Sequence, residues 1–199
     1  ENSLHGSLPP LPTLTALQTL LLSHNALSGP FPDGARDLYS LIDLELDAND
    51  FSGTVPSWLG NLTNLVYLDF SLNHLNGTLP SSLGNLTLLE IFYFDTNYLT
   101  GTLPLSFANH LSMIQMNLDH NMLSGPFPNY LANLSVLYAY VAYNNYFTGH
   151  VHAGLALLSN LKDINFGNNL MSGSIPDEDW TNSVLFLYIA TGNRLTGTI

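Results

Sequence analysis

Apolar and polar residues alternate in short bursts that return at a fixed interval. Leu17, Leu20 and Leu22 set the pattern Leu-x-x-Leu-x-Leu, and Leu41, Leu44 and Leu46 repeat it 24 residues later. Further copies vary the apolar residue: Leu89, Phe92, Phe94; Met113, Met116, Leu118; Leu137, Tyr140, Ala142; Leu161, Ile164, Phe166; Leu185, Tyr188, Ala190. A period of two predicts one short strand per copy, near residues 18–23 and every 24 residues onward, with these apolar side chains inward. Strands recurring at a constant interval stack into a parallel sheet along one face of a solenoid.

Just beyond each strand stands an asparagine: Asn25, Asn49, Asn73, Asn97, Asn121, Asn145, Asn169 and Asn193. Four residues after each comes a glycine, from Gly29 to Gly197. Backbone polar groups at a buried bend need partners, and a side-chain amide supplies both a donor and an acceptor. The asparagines therefore read as an internal structural ladder, and the glycines as turn residues. An apolar-proline step follows, as in Val55-Pro56, Leu79-Pro80 and Leu103-Pro104. Proline has no N–H to give a ladder, so it marks where the main sheet does not run. Segments such as 57–65, with leucines at helical spacing, predict a short 3₁₀ or irregular turn on the outer side.

Charge narrows the function classes. Only 9% of the 199 residues are Asp, Glu, Lys or Arg, against about 25% in an average soluble protein. Fifteen acidic residues face three basic ones, a net charge of -12 that repels nucleic acid and anionic lipid. There is no cysteine, hence no disulfide and no thiolate metal site. No apolar run reaches the length of a membrane span, so direct membrane contact by this segment is not expected. Seven histidines are scattered, and the one close pair, His150 and His152, lacks a third ligand at useful spacing. They read as exposed loop residues. Neither a nucleophile elbow nor a His-Glu-x-x-His pattern occurs, so no enzyme, cofactor or metal is expected.

The full unit, Leu-x-x-Leu-x-Leu-x-x-Asn-x-Leu-x-Gly-x-apolar-Pro-x-x-Leu-Gly-Asn-Leu, resembles the plant-specific class of leucine-rich repeat. Receptor-like kinases, receptor-like proteins and polygalacturonase-inhibiting proteins carry it. The resemblance spans essentially the whole chain and implies an α/β solenoid. That solenoid is a right-handed curved superhelix with a concave parallel β-sheet and short 3₁₀ or irregular turns on the convex side. Residues 1–199 then form one solenoid segment of about eight repeats. Without the family's cysteine-bearing caps, it is expected to belong to a longer solenoid. Three places depart from the unit: His152 replaces the proline, His110 takes the slot of Leu62 and Leu86, and Asp177-Glu178-Asp179-Trp180 replaces a turn, with Trp180 expected in the core.

In this family recognition is written in the variable outward positions of the strands. Here they carry Asp43, Glu45, Asp47, Tyr67, Asp69, Tyr93, Asp95, Asn117, Asp119 and Tyr143. Adjacent strands are about 4.8 Å apart, so the acids stack and repel. That points to a face for cationic groups, with tyrosines offering contact area; the plainer alternative is a hydrated acidic surface. The expected partner is a protein, peptide or glycan bound outside the cell or at its surface. Alternatives are a structural module of a wall, matrix or surface assembly and, behind it, an ice-binding solenoid. Four N-glycosylation sequons begin at Asn61, Asn76, Asn85 and Asn133, three of them in the outer-turn frame.

Overall fold

A computed structural model describes residues 2–9, 11, 14–176 and 184–197. The expected strands form an eight-stranded parallel sheet running from Thr19–Leu21 through Asp43–Glu45, Tyr67–Asp69, Ile91–Tyr93, Gln115–Asn117, Ala139–Val141 and Asp163–Asn165 to Leu187–Ile189. Register never slips: Leu44 pairs with Leu68, Leu68 with Phe92, and Phe92 with Met116. The inward residues fill one continuous core in which Phe51, Phe70, Phe92, Phe94, Phe107, Phe147 and Phe166 are wholly buried. Phe70 stacks on Phe94 with ring centroids 5.6 Å apart, so aromatic contacts also run along the solenoid axis.

Each ladder asparagine ties two coils together. The Asn49 side-chain oxygen accepts the N–H of Leu27 at 3.0 Å, and its nitrogen donates to the carbonyls of Leu22, Leu46 and Asp47. Asn73, Asn97, Asn121, Asn145 and Asn169 are buried in the same way, and the ladder continues to Asn193. The residue ahead of each asparagine is bent into the left-handed region, with φ of 54° at His24, 51° at Ala48, 53° at Leu72 and 48° at His120.

A second sheet departs from the expected single strand per repeat. Strands His5–Gly6, Ala26–Pro30, Asp50–Thr54, His74–Thr78, Tyr98–Gly101, Met122–Pro126 and Tyr146–Thr148 pair in parallel, and Ser172–Ser174 pairs likewise with Arg194–Thr196. Gly29, Gly53, Gly77, Gly101, Gly125 and Gly173 therefore lie within strands rather than at turns, and Gly149 and Gly197 come directly after them. Their need is conformational and steric: Gly77 has φ +71°, and a Cβ there would meet the Thr54 methyl at 2.8 Å. The prolines sit one step later, where Pro56, Pro80, Pro104 and Pro128 lead into 3₁₀ turns at Ser57–Asn61, Ser81–Asn85, Leu105–Asn109 and Asn129–Asn133. These turns stack on the side away from the first sheet. Among the described residues no helix is long and apolar enough to cross a membrane. The expectation for Asp177 to Trp180 lies outside the described residues.

Candidate recognition face

Three outward columns cross the first sheet. Register sets Asp43 beside Tyr67, and Glu45 beside Asp69, which in turn lies beside Tyr93 and then Asn117. Asp47, Asp95, Asp119 and Tyr143 follow at the strand ends. All ten residues expected there share this face, though not with equal exposure. Asp69 is only 8% exposed, because its carboxylate folds back to accept the Ser71 N–H at 2.8 Å and the Ser71 hydroxyl at 2.7 Å. Tyr67 and Tyr93 meet edge to face above it, centroids 6.0 Å apart, and the Tyr93 hydroxyl donates to the Gln115 side-chain oxygen.

Among the described residues the face holds its acids in partial burial with no Lys or Arg paired to them. Burial, and then the charges of Asp119 and Asp69, push the Asp95 carboxyl up to about 6. Asn117 donates to Asp95 at 3.0 Å, a neutral bond that leaves the charge uncompensated. Burial likewise raises Asp43 and Glu45, and at Glu45 the neighbouring Asp43, Asp47 and Asp69 add to it. One oxygen of Asp43 is sealed from solvent with no hydrogen-bond partner. The three basic residues lie elsewhere in the chain, at Arg36, Lys162 and Arg194. Lys162 stands 5.3 Å over the Tyr138 ring.

The edge between the two sheets carries a feature that sequence spacing did not bring together. His24 approaches Asp47 at 3.5 Å, His120 approaches Asp119 at 3.4 Å, and His74 approaches Asp50 at 3.4 Å. His74 stacks on Tyr98, and His120 packs on Tyr143. The signal was present as His24 and His120 one residue before the ladder. Only the left-handed bend there turns them toward the carboxylates of the strand end.

Not every histidine is an exposed loop residue. His110 is wholly buried, donates from Nε2 to the Leu83 carbonyl at 3.0 Å, and has its pKa lowered by that burial. His150 and His152 are exposed but bond to backbone, His150 to the Ser172 carbonyl at 2.9 Å and His152 to the Gly154 N–H at 3.0 Å. Among the described residues no three His, Asp or Glu side chains converge as a metal set.

Comparison with known proteins fits this geometry. The family model "Leucine Rich Repeat" matches residues 16–38, 40–62 and 64–86. The structure resembles the Arabidopsis receptor kinase HAESA in complex with the peptide hormone IDA and the co-receptor SERK1. Identity is 29%, with TM-score 0.94, over 100% of this chain and 34% of that one. It resembles the plant peptide hormone receptor RGFR1, in complex with RGF2, at 33% identity and TM-score 0.93 over 100% of this chain and 32% of that one. A plant ice-binding protein aligns at 26% identity and TM-score 0.78 over 100% of this chain and 72% of that one. No curated protein matches the sequence. The chain spans about a third of the length of the two receptor ectodomains it matches. The chain is a leucine-rich-repeat solenoid whose repeats resemble those of plant receptor ectodomains.

Proposed function

We propose that this segment is a non-catalytic extracellular recognition module, and that its first-sheet face takes an extended peptide bearing cationic side chains. The observation that carries the reading is Asp95. Its carboxyl is raised by burial and by neighbouring acids, and the nearest side-chain donors to it are neutral. Arg or Lys side chains spaced along an extended peptide, one near Asp95 and Asp119 and another near Asp47 and Glu45, relieve that repulsion. Tyr67, Tyr93 and Tyr143 supply amphipathic contact area at low entropic cost. The peptide-hormone complexes of HAESA and RGFR1 support a peptide over a glycan. Coulombic attraction at such a partly solvated face governs association rate and partner choice more than raw affinity.

The test is selection from a random-peptide display library on the immobilised protein. Enrichment of sequences rich in Lys, Arg and aromatic residues is the expected result. Binding of the enriched peptides should fall at least tenfold on a Tyr93→Ser/Asp95→Asn variant. Enrichment without basic residues, or equal binding to the variant, contradicts the reading.

A second reading, ice binding, draws on the second sheet. Two columns flank its glycines, Ser28, Ser52, Asn76, Thr100, Ser124 on one side and Thr54, Thr78, Thr102 on the other, all at least partly exposed. They are small, hydroxyl-rich and uncharged, and repeat at the interstrand spacing of about 4.8 Å. The first-sheet acids offered no such regularity. Inhibition of ice recrystallisation by the wild type, abolished by Thr54→Tyr/Thr78→Tyr but not by Asp95→Asn, would favour this reading over the first.

A further inference from the structure

The asparagines of the chain divide sharply by what their side chains do. Ladder members such as Asn97 are buried and donate to three carbonyls. Asn61, Asn85 and Asn133 are exposed at the ends of three stacked 3₁₀ turns. Among the described residues their amides enter none of the side-chain bonds that hold the coils. The sequon hydroxyls, Thr63, Thr87 and Ser135, are exposed as well. In two of the three the turn is tight: the Thr87 N–H donates to the Asn85 carbonyl at 2.9 Å and the Ser135 N–H to the Asn133 carbonyl at 3.0 Å. The fourth sequon is built differently. Asn76 lies within the strand His74–Thr78, paired on both sides, and its central Gly77 packs on Thr54.

We infer that Asn61, Asn85 and Asn133 carry N-linked glycans, forming a sugar-covered outer edge that leaves the first-sheet face open; this rests on the extracellular reading above. In the transfer step the side-chain amide nitrogen attacks the anomeric carbon of a lipid-diphosphate-linked oligosaccharide. A C–N bond forms, the bond from the anomeric carbon to the phosphate oxygen breaks, and the lipid diphosphate leaves with the electron pair. The amide gives up one proton to a base. A surface turn stays open to the modifying enzyme, whereas a strand closed on both sides is withdrawn as the sheet forms, so Asn76 is modified less than the other three. The glycan row is interrupted between Asn85 and Asn133. There Asn109 is followed by the buried His110 and by Leu111, and Leu105 on the same turn is 82% exposed. The turn Leu105–Asn109 is therefore an unsugared, apolar gap within the glycan row.

The experiment has two arms. The protein is secreted from a eukaryotic host, and the same chain is isolated from its natural source. Each sample is treated with peptide N-glycosidase in heavy-oxygen water and mapped by peptide mass spectrometry. In the host arm, label at Asn61, Asn85 and Asn133, with less at Asn76, is the expected result; no label at those three overturns the inference. Label in the host arm but none in the natural sample overturns the extracellular reading and leaves the site geometry standing. As a structural control, Asn85→Gln should abolish label at that site and leave the unfolding midpoint unchanged. A midpoint shift of several degrees would show that Asn85 is a structural residue and contradict the assignment.

Discussion

The side-chain oxygen of Asn97 accepts the backbone N–H of Leu75, 22 residues earlier, at 2.9 Å, while its nitrogen donates to the Phe70 carbonyl at 2.9 Å. One amide thus closes two backbone groups of the preceding coil and two of its own. Both coils lose partners when it is cut. Asn97→Ala leaves a buried N–H and buried carbonyls unsatisfied and should destabilise by about 2–4 kcal/mol. Asn97→Asp should do worse, because a carboxylate then faces carbonyl oxygens. Chemical denaturation measures both.

A different constraint governs the outer turns. A Cβ built on Gly60 would lie 2.1 Å from the Ser82 carbonyl oxygen, and one on Gly84 2.4 Å from the Ser106 Cβ. Backbone must move to admit it. Gly60→Ala should cost about 1–3 kcal/mol, the scale of overpacking, even though alanine is the better helix former. A rise in the melting temperature would contradict the assigned packing.

The left-handed bend before the ladder makes a further distinction. Ala48 has φ +51°, a conformation that strains a residue with a Cβ by about 1–2 kcal/mol. Ala48→Gly relieves that strain but frees the unfolded chain, so its net effect should be within about 0.5 kcal/mol. Ala48→Val, β-branched, should lose at least about 1 kcal/mol. Equal loss in both variants would show that the bend is not what limits the site.

Repeat architecture was legible because each inward leucine and each ladder asparagine recurs at one interval, and a solenoid converts sequence period directly into spatial stacking. The second sheet was hidden. Its residues, Ser52, Gly53 and Thr54 for example, show no apolar alternation, since only Phe51 of that strand is buried. Its glycines looked like turn markers because positive φ serves both purposes. On the recognition face the columns were readable from register alone. The burial of Asp69 by Ser71 was not, because a side chain folding back on the next-but-one residue leaves no periodic trace.

Acid–base linkage follows from the same face. Asp95 has its folded pKa raised to about 6, above the ordinary carboxylate value, so the folded chain keeps a proton that the unfolded chain has released. Its stabilising share is present in full below about pH 4 and is lost as pH rises through 6. With the shift discounted for solvent screening at this part-open carboxyl, Asp95→Asn should raise stability near pH 7 by about 1 kcal/mol and flatten the slope between pH 4 and 6. His110 works in the other direction. Its lowered pKa makes stability fall as pH drops below the ordinary histidine value of about 6.5. Denaturation midpoints from pH 4 to 8 separate the two.

The most direct test of the recognition face is the affinity of a selected basic peptide for the wild type and for an Asp47→Asn/Asp95→Asn/Asp119→Asn variant, measured from 50 to 300 mM salt. Asp69 is left intact in that variant because Ser71 uses it to hold the strand end. If the acids draw the ligand, wild-type affinity falls steeply with salt, and the variant binds weakly at low salt with little further change. Equal affinities and equal salt slopes for the two proteins would contradict the account and leave the acids as a solvated surface.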